Sequence, residues 1–215
     1  MKKLIIALLL ISLTFTSWSG KNFEGEVTYK ITYKDVPEEM QMYIAMMPSK
    51  AKITLKNNWS KFEQSMGMMG DMAVMTNSKT KKSITLMNMM GQKMAIENSD
   101  SETVKIKYKK VERTKEKKKI AGYKCFKIII TDSTDVKTDI WVTKKIQAAS
   151  FSGISAEVSE GFVMQYTTKA GEMTMVITAD KVEKKKINED TFSIPKGYEK
   201  KTQKEFEEIM KSFKM

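Results

Sequence analysis

Apolar and polar residues alternate strictly once the first twenty or so positions are passed. Phe23, Gly25, Val27, Tyr29, Ile31 and Tyr33 fall on one side of the repeat, and Glu24, Glu26, Thr28, Lys30, Thr32 and Lys34 on the other. A period of two predicts a long strand with one face buried and one face wet. The same period returns with Ala51, Ile53 and Leu55 against Lys50, Lys52, Thr54 and Lys56, and with Val104, Ile106 and Tyr108 against Lys105, Lys107 and Lys109. Further strands are expected over 59–63, 73–77, 84–89, 93–97, 123–131, 138–143, 162–168 and 173–179. Connections are short, and Ala170-Gly171 sits between two alternating runs as a hairpin turn, so the sheet is expected to be largely antiparallel.

Two segments break the period. Asp35 and Glu38 have capping-box spacing, Pro37 suits a first helical turn, and Met40, Tyr43, Ile44 and Met47 recur at helical spacing before Pro48. Met42, Ala45 and Met46 make the other sides of this helix, 36–47, apolar as well, so it should be buried or lie across a hydrophobic opening. Thr202 and Glu205 form a second capping box, ahead of a stripe of Phe206, Ile209, Met210 and Phe213. The expected class is α+β, mainly antiparallel β: a curled half-barrel sheet with a few covering helices. A membrane-spanning barrel shares the alternation, but the capped C-terminal helix and scarce aromatics argue against it.

The first segment reads as an address. Lys2 and Lys3 precede an apolar run from Leu4 to Leu13, and Ser17 and Ser19 supply the small residues of a cleavage site, so residues 1–19 are read as a secretory signal peptide. Residues 20–215 are then one domain, placed in the periplasm or secreted.

Composition removes most chemistry. There are no histidines, one cysteine and 19 methionines among 215 residues. That excludes histidine-based triads and dyads, zinc-protease motifs, internal disulfides and CxxC redox pairs. Cys125 lies in a strand with no base to activate it and reads as a small buried hydrophobe. The net charge of +12 on an exported chain points to anionic membrane surfaces rather than nucleic acid. The densest basic stretch, 105–119, reads first as a solvated strand face plus a turn. The chain is expected to be non-enzymatic, without a cofactor, and a monomer.

Thirteen methionines crowd between Met40 and Met94. Methionine is unbranched and polarizable, so a surface made of it can repack around ligands of variable shape. Three readings stand together: filler of an ordinary core, lining of an apolar-ligand site, or a soft-metal loop. The lining would comprise Met40, Tyr43, Ile44 and Met47 of the helix, Met66, Met69 and Met72 of a loop over 66–75, and Leu86 and Met90 of a wall over 84–94. The metal alternative takes Met66, Met68, Met69, Met72 and Met75 as thioether ligands for reduced copper.

Four short motifs carry a family resemblance. Phe23-Glu-Gly-Glu-Val-Thr-Tyr29, Ile120-Ala-Gly-Tyr-Lys-Cys125, Asp139-Ile-Trp-Val-Thr143 and Phe192-Ser-Ile-Pro-Lys-Gly-Tyr198 resemble, in this order, the exported bacterial family called domain of unknown function 4412. That family is similar to the periplasmic lipoprotein carriers, whose fold is an unclosed antiparallel half-barrel around an apolar cavity. The resemblance implies binding of a lipid or acyl chain and transfers no catalytic residue. On that reading Lys107, Lys109 and Lys118 would meet an anionic membrane surface during release.

Overall fold

The computed structural model describes residues 23–65, 67, 70–89, 91–98, 108–148 and 159–212. Residues 1–19, read above as a signal peptide, lie outside them. Strand β1 (Gly25–Lys34) is followed by a 3-10 helix, η1 (Glu38–Met46), and then by β2 (Lys50–Lys56), β3 (Trp59–Ser65), β4 (Asp71–Asn77), β5 (Ser83–Met89) and β6 (Gln92–Asn98). A second run comprises β7 (Tyr108–Ile120), β8 (Tyr123–Asp132), β9 (Lys137–Thr143), β10 (Phe162–Ala170) and β11 (Met173–Lys184). The chain ends with a short 3-10 turn, η2 (Glu189–Phe192), strand β12 (Glu199–Lys201) and helix α1 (Gln203–Ser212).

Among the described residues these strands form one twelve-stranded sheet, in the order β12-β6-β5-β4-β3-β2-β1-β11-β10-β9-β8-β7. Two up-and-down meanders, β1 to β6 and β7 to β11, are joined edge to edge where β1 pairs antiparallel with β11. Every pairing is antiparallel except the last, β12 against β6. The sheet is open, with β12 and β7 at its edges. The expected class, a mainly antiparallel sheet with few helices, is the observed one, and the other alternating segments became strands within a few residues of their expected ends, whereas the run over 104–109 lies mostly outside the described residues and β7 instead occupies 108–120.

The long basic strand β7 is an edge strand, and its lysines are mostly solvent-facing, a pattern that discourages pairing with other chains. A β-bulge between Arg113 and Lys117 interrupts its register with β8.

Three apolar clusters hold the sheet. The largest gathers Val27, Tyr29, Ile31, Ala51, Ile53 and Leu55 with Cys125, Trp141, Phe162 and Met164, so the two meanders share one core. Tyr29 is buried, and its hydroxyl donates to the Val163 carbonyl at 2.8 Å, tying β1 to β10 across the intervening β11. A second cluster, Ile128, Ile130, Ile140, Val142 and Val163, lies on β8 to β10. The third fills the face of β4 to β6 that carries Met75, Ile84, Leu86 and Ala95, covered by Ile187 and Phe192 of the segment after β11. Phe192 stacks on Trp59 with ring centroids 5.7 Å apart. Lys56 donates to the Ile187 carbonyl at 2.6 Å, and the Glu24 carboxylate accepts from the Ile187 N–H at 2.8 Å, which clamps this segment down.

The helices differ from expectation in one case. Residues 38–46 form a 3-10 helix with no buried residue and no side-chain cap. Asp35 adopts a left-handed φ of 53°, and its carboxylate accepts from the Thr174 hydroxyl instead of capping. Pro37 disfavours helical geometry at the residue before it, so the cap is displaced from Asp35. The second capping box forms: Thr202 N–H donates to Glu205 Oε2 at 2.7 Å and Glu205 N–H donates to Thr202 Oγ1 at 3.2 Å.

Candidate functional site: a methionine-rich end of the sheet

Antiparallel register decides which methionines share a face. On the face opposite the Met75 cluster, Met72 of β4 pairs with Met87 of β5, and Met87 pairs with Met94 of β6. These three side chains make a cross-strand row. The row continues through Gln64 of β3 and Ala51 of β2 to Tyr29 in the main core. A parallel row beside it runs Val27, Ile53, Phe62, Val74, Thr85, Ile96. Met87, Met94 and Ile96 are buried, while Phe62, Met72 and Val74 are half-buried.

The strand ends near this row gather the remaining methionine-bearing segments. The end of β1, the start of β2, the β3–β4 hairpin and the β5–β6 turn lie at one end of the ladder. The hairpin is held there by two glycines. A Cβ on Gly70, at φ 114°, would sit 1.8 Å from the Asn88 carbonyl oxygen, and one on Gly67 would sit 2.6 Å from the Met46 carbonyl oxygen. The glycines of the Ser65 to Asp71 segment thus serve close backbone approach: Gly70 lets the hairpin lie on β5, and Gly67 lets its tip meet the last residue of η1.

On η1 itself Met42 is 76% exposed, Tyr43 51%, Met46 47% and Met40 37%. Four of the five exposed large hydrophobics among the described residues therefore sit on this one short element; the fifth is Val136. Ile44 and Met47 are half-buried.

The expected lining residues are thus divided. Met40, Tyr43, Ile44 and Met47 lie on or beside η1, next to the hairpin tip. Met66, Met69 and Met90 lie outside the described residues. Met72 is a strand residue, because β4 begins at Asp71, and it belongs to the methionine row. Leu86 is on the other face of the sheet: it packs with Met75, Ile84 and Phe192 in the filled third cluster and pairs with Ala73 and Ala95. Its neighbour Met87, with Met94, lies on the face of Met72 instead. Counting alternate residues back from the β4–β5 turn, where Thr76 pairs with Ser83, is the signal that would have found them.

The copper set divides in the same way. Met66, Met68 and Met69 are outside the described residues, and Met72 and Met75 point to opposite faces of β4, with Met75 fully buried in the third cluster. Two of the five sulfurs therefore do not converge. Among the described residues no group of three histidine, cysteine, aspartate or glutamate side chains is placed to hold an ion.

Cys125 is buried, and burial pushes its thiol above the usual range, with the Ile120 backbone and then Lys118 pulling the other way. Its thiolate is correspondingly scarce at neutral pH. A thiol-reactive probe is expected to label the native protein at least tenfold more slowly than the denatured chain; equal rates would show that Cys125 is accessible and activated. The lysines expected to face a membrane are otherwise engaged. Lys118 donates to Gln165 at 2.6 Å, lies 4.0 Å from the Trp141 ring centroid, and is lowered in pKa by burial. Lys109 pairs with Asp135 at 2.6 Å, and Lys107 lies outside the described residues. Among the described residues no helix is long and apolar enough to cross a membrane.

Comparison with solved structures recovers the same architecture. The chain superposes on PNGF-II with a TM-score of 0.59 at 13% identity, covering 87% of this chain and 32% of that one. It therefore spans about a third of that protein, and the likeness shows the fold alone. An uncharacterized conserved protein from Thermus thermophilus is similar with a TM-score of 0.49 at 6% identity, over 84% of this chain and 91% of the other. The LolA superfamily protein NE2245 from Nitrosomonas europaea is similar with a TM-score of 0.28 at 10% identity, over 80% and 91% of the two chains. The latter two likenesses are too coarse to bear on ligand or partner. No curated protein matches the sequence. A family model matches residues 23–160, which contain the first three of the four sequence motifs, and the chain belongs to the family it describes, domain of unknown function DUF4412.

Proposed function

We propose that this protein is an exported, non-enzymatic binder of a hydrophobic ligand, a lipid or acyl chain, held at the methionine-rich end of its sheet. The observation that carries this reading is the exposure of Met40, Met42, Tyr43 and Met46 on η1, against the hairpin tip whose strands lead into the Met72–Met87–Met94 row. A cluster of large apolar side chains left in water marks a place where something apolar is received. An acyl chain laid between η1 and the row would gain about 0.8 kcal/mol per buried CH2, offset by the cost of ordering η1. Methionine keeps that cost small, because its rotamers adapt to the ligand rather than demanding one shape. In this role η1 is the cover, Phe62, Val74 and Ile96 extend the wall, and Leu86 belongs to the scaffold.

The test is native mass spectrometry of protein purified without added ligand, with titration of a fluorescent fatty acid. A heterogeneous lipid-mass adduct is expected. Changing Met42, Tyr43 and Met46 together to glutamine should weaken fatty-acid binding about tenfold or more, each lost apolar contact costing roughly 1 kcal/mol. These side chains are exposed, so the fold should survive. No adduct and unchanged affinity in the triple variant would sink the proposal. A copper-mass adduct would move it to the thioethers of the hairpin.

A further inference from the structure

At the other end of the strand ladder, the β7–β8 hairpin carries a basic surface that no carboxylate among the described residues neutralises. Lys119 and Lys124 are direct cross-strand partners. Like charges placed opposite one another in an antiparallel pair are destabilising. Lys117, two residues earlier on the same face, pairs across the strands with Phe126, and its ammonium lies 5.8 Å from that ring's centroid. All three lysines are exposed.

The neighbouring cations are neutralised. Arg113, on the same face beyond the bulge, and Lys144 both pair with Glu160. Lys127, on the opposite face of β8, is held between Glu116 and Asp139. Among the described residues no carboxylate pairs with Lys117, Lys119 or Lys124. Among the described residues, counter-ions surround the patch and none pairs with its three lysines.

We propose that Lys117, Lys119 and Lys124 form a docking surface for an anionic lipid bilayer. The charges spread in two dimensions, along β7 and across to β8, over an exposed sheet face. A planar array of negative headgroups matches that spread, whereas a single extended acidic chain would match charges set in one line. Juxtaposed lysines each strengthen attachment to an anionic leaflet about fivefold, so three together contribute on the order of a hundredfold, and the effect is screened by salt. The proposal is independent of the hydrophobic ligand. The register places the hairpin turn and η1 at opposite ends of the ladder, so docking here leaves the methionine-rich end free.

Sedimentation with vesicles containing phosphatidylglycerol, and with vesicles of phosphatidylcholine alone, tests this directly. The wild-type protein should sediment with the anionic vesicles at low salt, be released by high salt, and ignore the neutral ones. Changing Lys117, Lys119 and Lys124 together to glutamine should weaken binding on the order of a hundredfold, and changing them to arginine should preserve it. The single change Lys119→Gln should raise the melting temperature, because it relieves the cross-strand repulsion. Undiminished binding by the glutamine variant, or equal binding to neutral vesicles, overturns the proposal. Binding to soluble heparin without binding to anionic vesicles also overturns it, in favour of a polyanionic polymer. Fatty-acid titration of the same variant keeps the two readings separate, since the lysines lie away from η1.

Discussion

Gly70→Ala is expected to lower stability by on the order of 3 kcal/mol, and to do so through backbone. The new Cβ would lie 1.8 Å from the Asn88 carbonyl oxygen and 2.9 Å from its carbon, so no side-chain rotation relieves the clash. The residue also sits at φ 114°, a conformation that side chains rarely adopt. Strain at such a backbone position and overpacking each cost about 1 to 3 kcal/mol. Relief requires the β3–β4 hairpin to shift away from β5, which breaks the Asp71–Asn88 pairing, the one beside the Met72–Met87 pair. Equilibrium denaturation should therefore show the loss, and hydrogen exchange should show it concentrated in β4 and β5. Gly91→Ala is the control. Gly91 has φ 85° and nothing within 4 Å of its would-be Cβ, so its cost should stay near 1 kcal/mol. Equal losses at the two positions would show that the close approach to Asn88 is not what fixes the hairpin.

Phe192→Ala should cost about 3 to 5 kcal/mol, the range for removing a buried aromatic ring. Phe192 is 7% exposed, stacks on Trp59, and closes the cluster of Met75, Ile84, Leu86 and Ala95. The protein should unfold at lower denaturant, yet its affinity for a hydrophobic ligand under native conditions should hold, because this cluster occupies the face opposite the methionine row. Leu86→Ala should behave in the same way. If either variant lost ligand affinity while still folded, the third cluster would be the binding face and the assignment of faces on β4 to β6 would be wrong.

Much of this was legible in the residues. Strict alternation from Phe23 to Lys34 produced β1 with Gly25, Val27, Tyr29 and Ile31 buried, and the same pattern located most of the other strands, though not β12. The Thr202–Glu205 capping box formed as spaced. These features are local: each depends on neighbours a few positions away along the chain. The isolation of Cys125 was legible for a similar reason, since a lone thiol in a strand of apolar alternation has little else to become.

What failed was also informative. Helical spacing of Met40, Tyr43, Ile44 and Met47 suggested an α-helix, either buried or lying across a hydrophobic opening, and the segment is a 3-10 helix with no buried residue. The apolar count was right, but burial needs a surface to bury against, which spacing along the chain does not supply. Leu86 lies on the face opposite Met72, while its neighbour Met87 shares the face of Met72, because in a strand one residue exchanges the two faces. On β4 to β6 both faces are apolar, so alternation gave no warning. One face is covered by residues 187–194, far downstream in the chain, held by Lys56 and Glu24.

The sequence by itself determined most of the strands, the antiparallel habit and the absence of histidine chemistry, because each follows from short-range periodicity or residue content, and its short motifs carried the family resemblance. Only the tertiary structure decided which methionines share a face, that the two meanders join through β1 and β11, and that Lys119 faces Lys124. The physical reason is common to all three: cross-strand register couples residues that the chain holds far apart, and it is fixed by the packing of the whole sheet and not by any stretch of it.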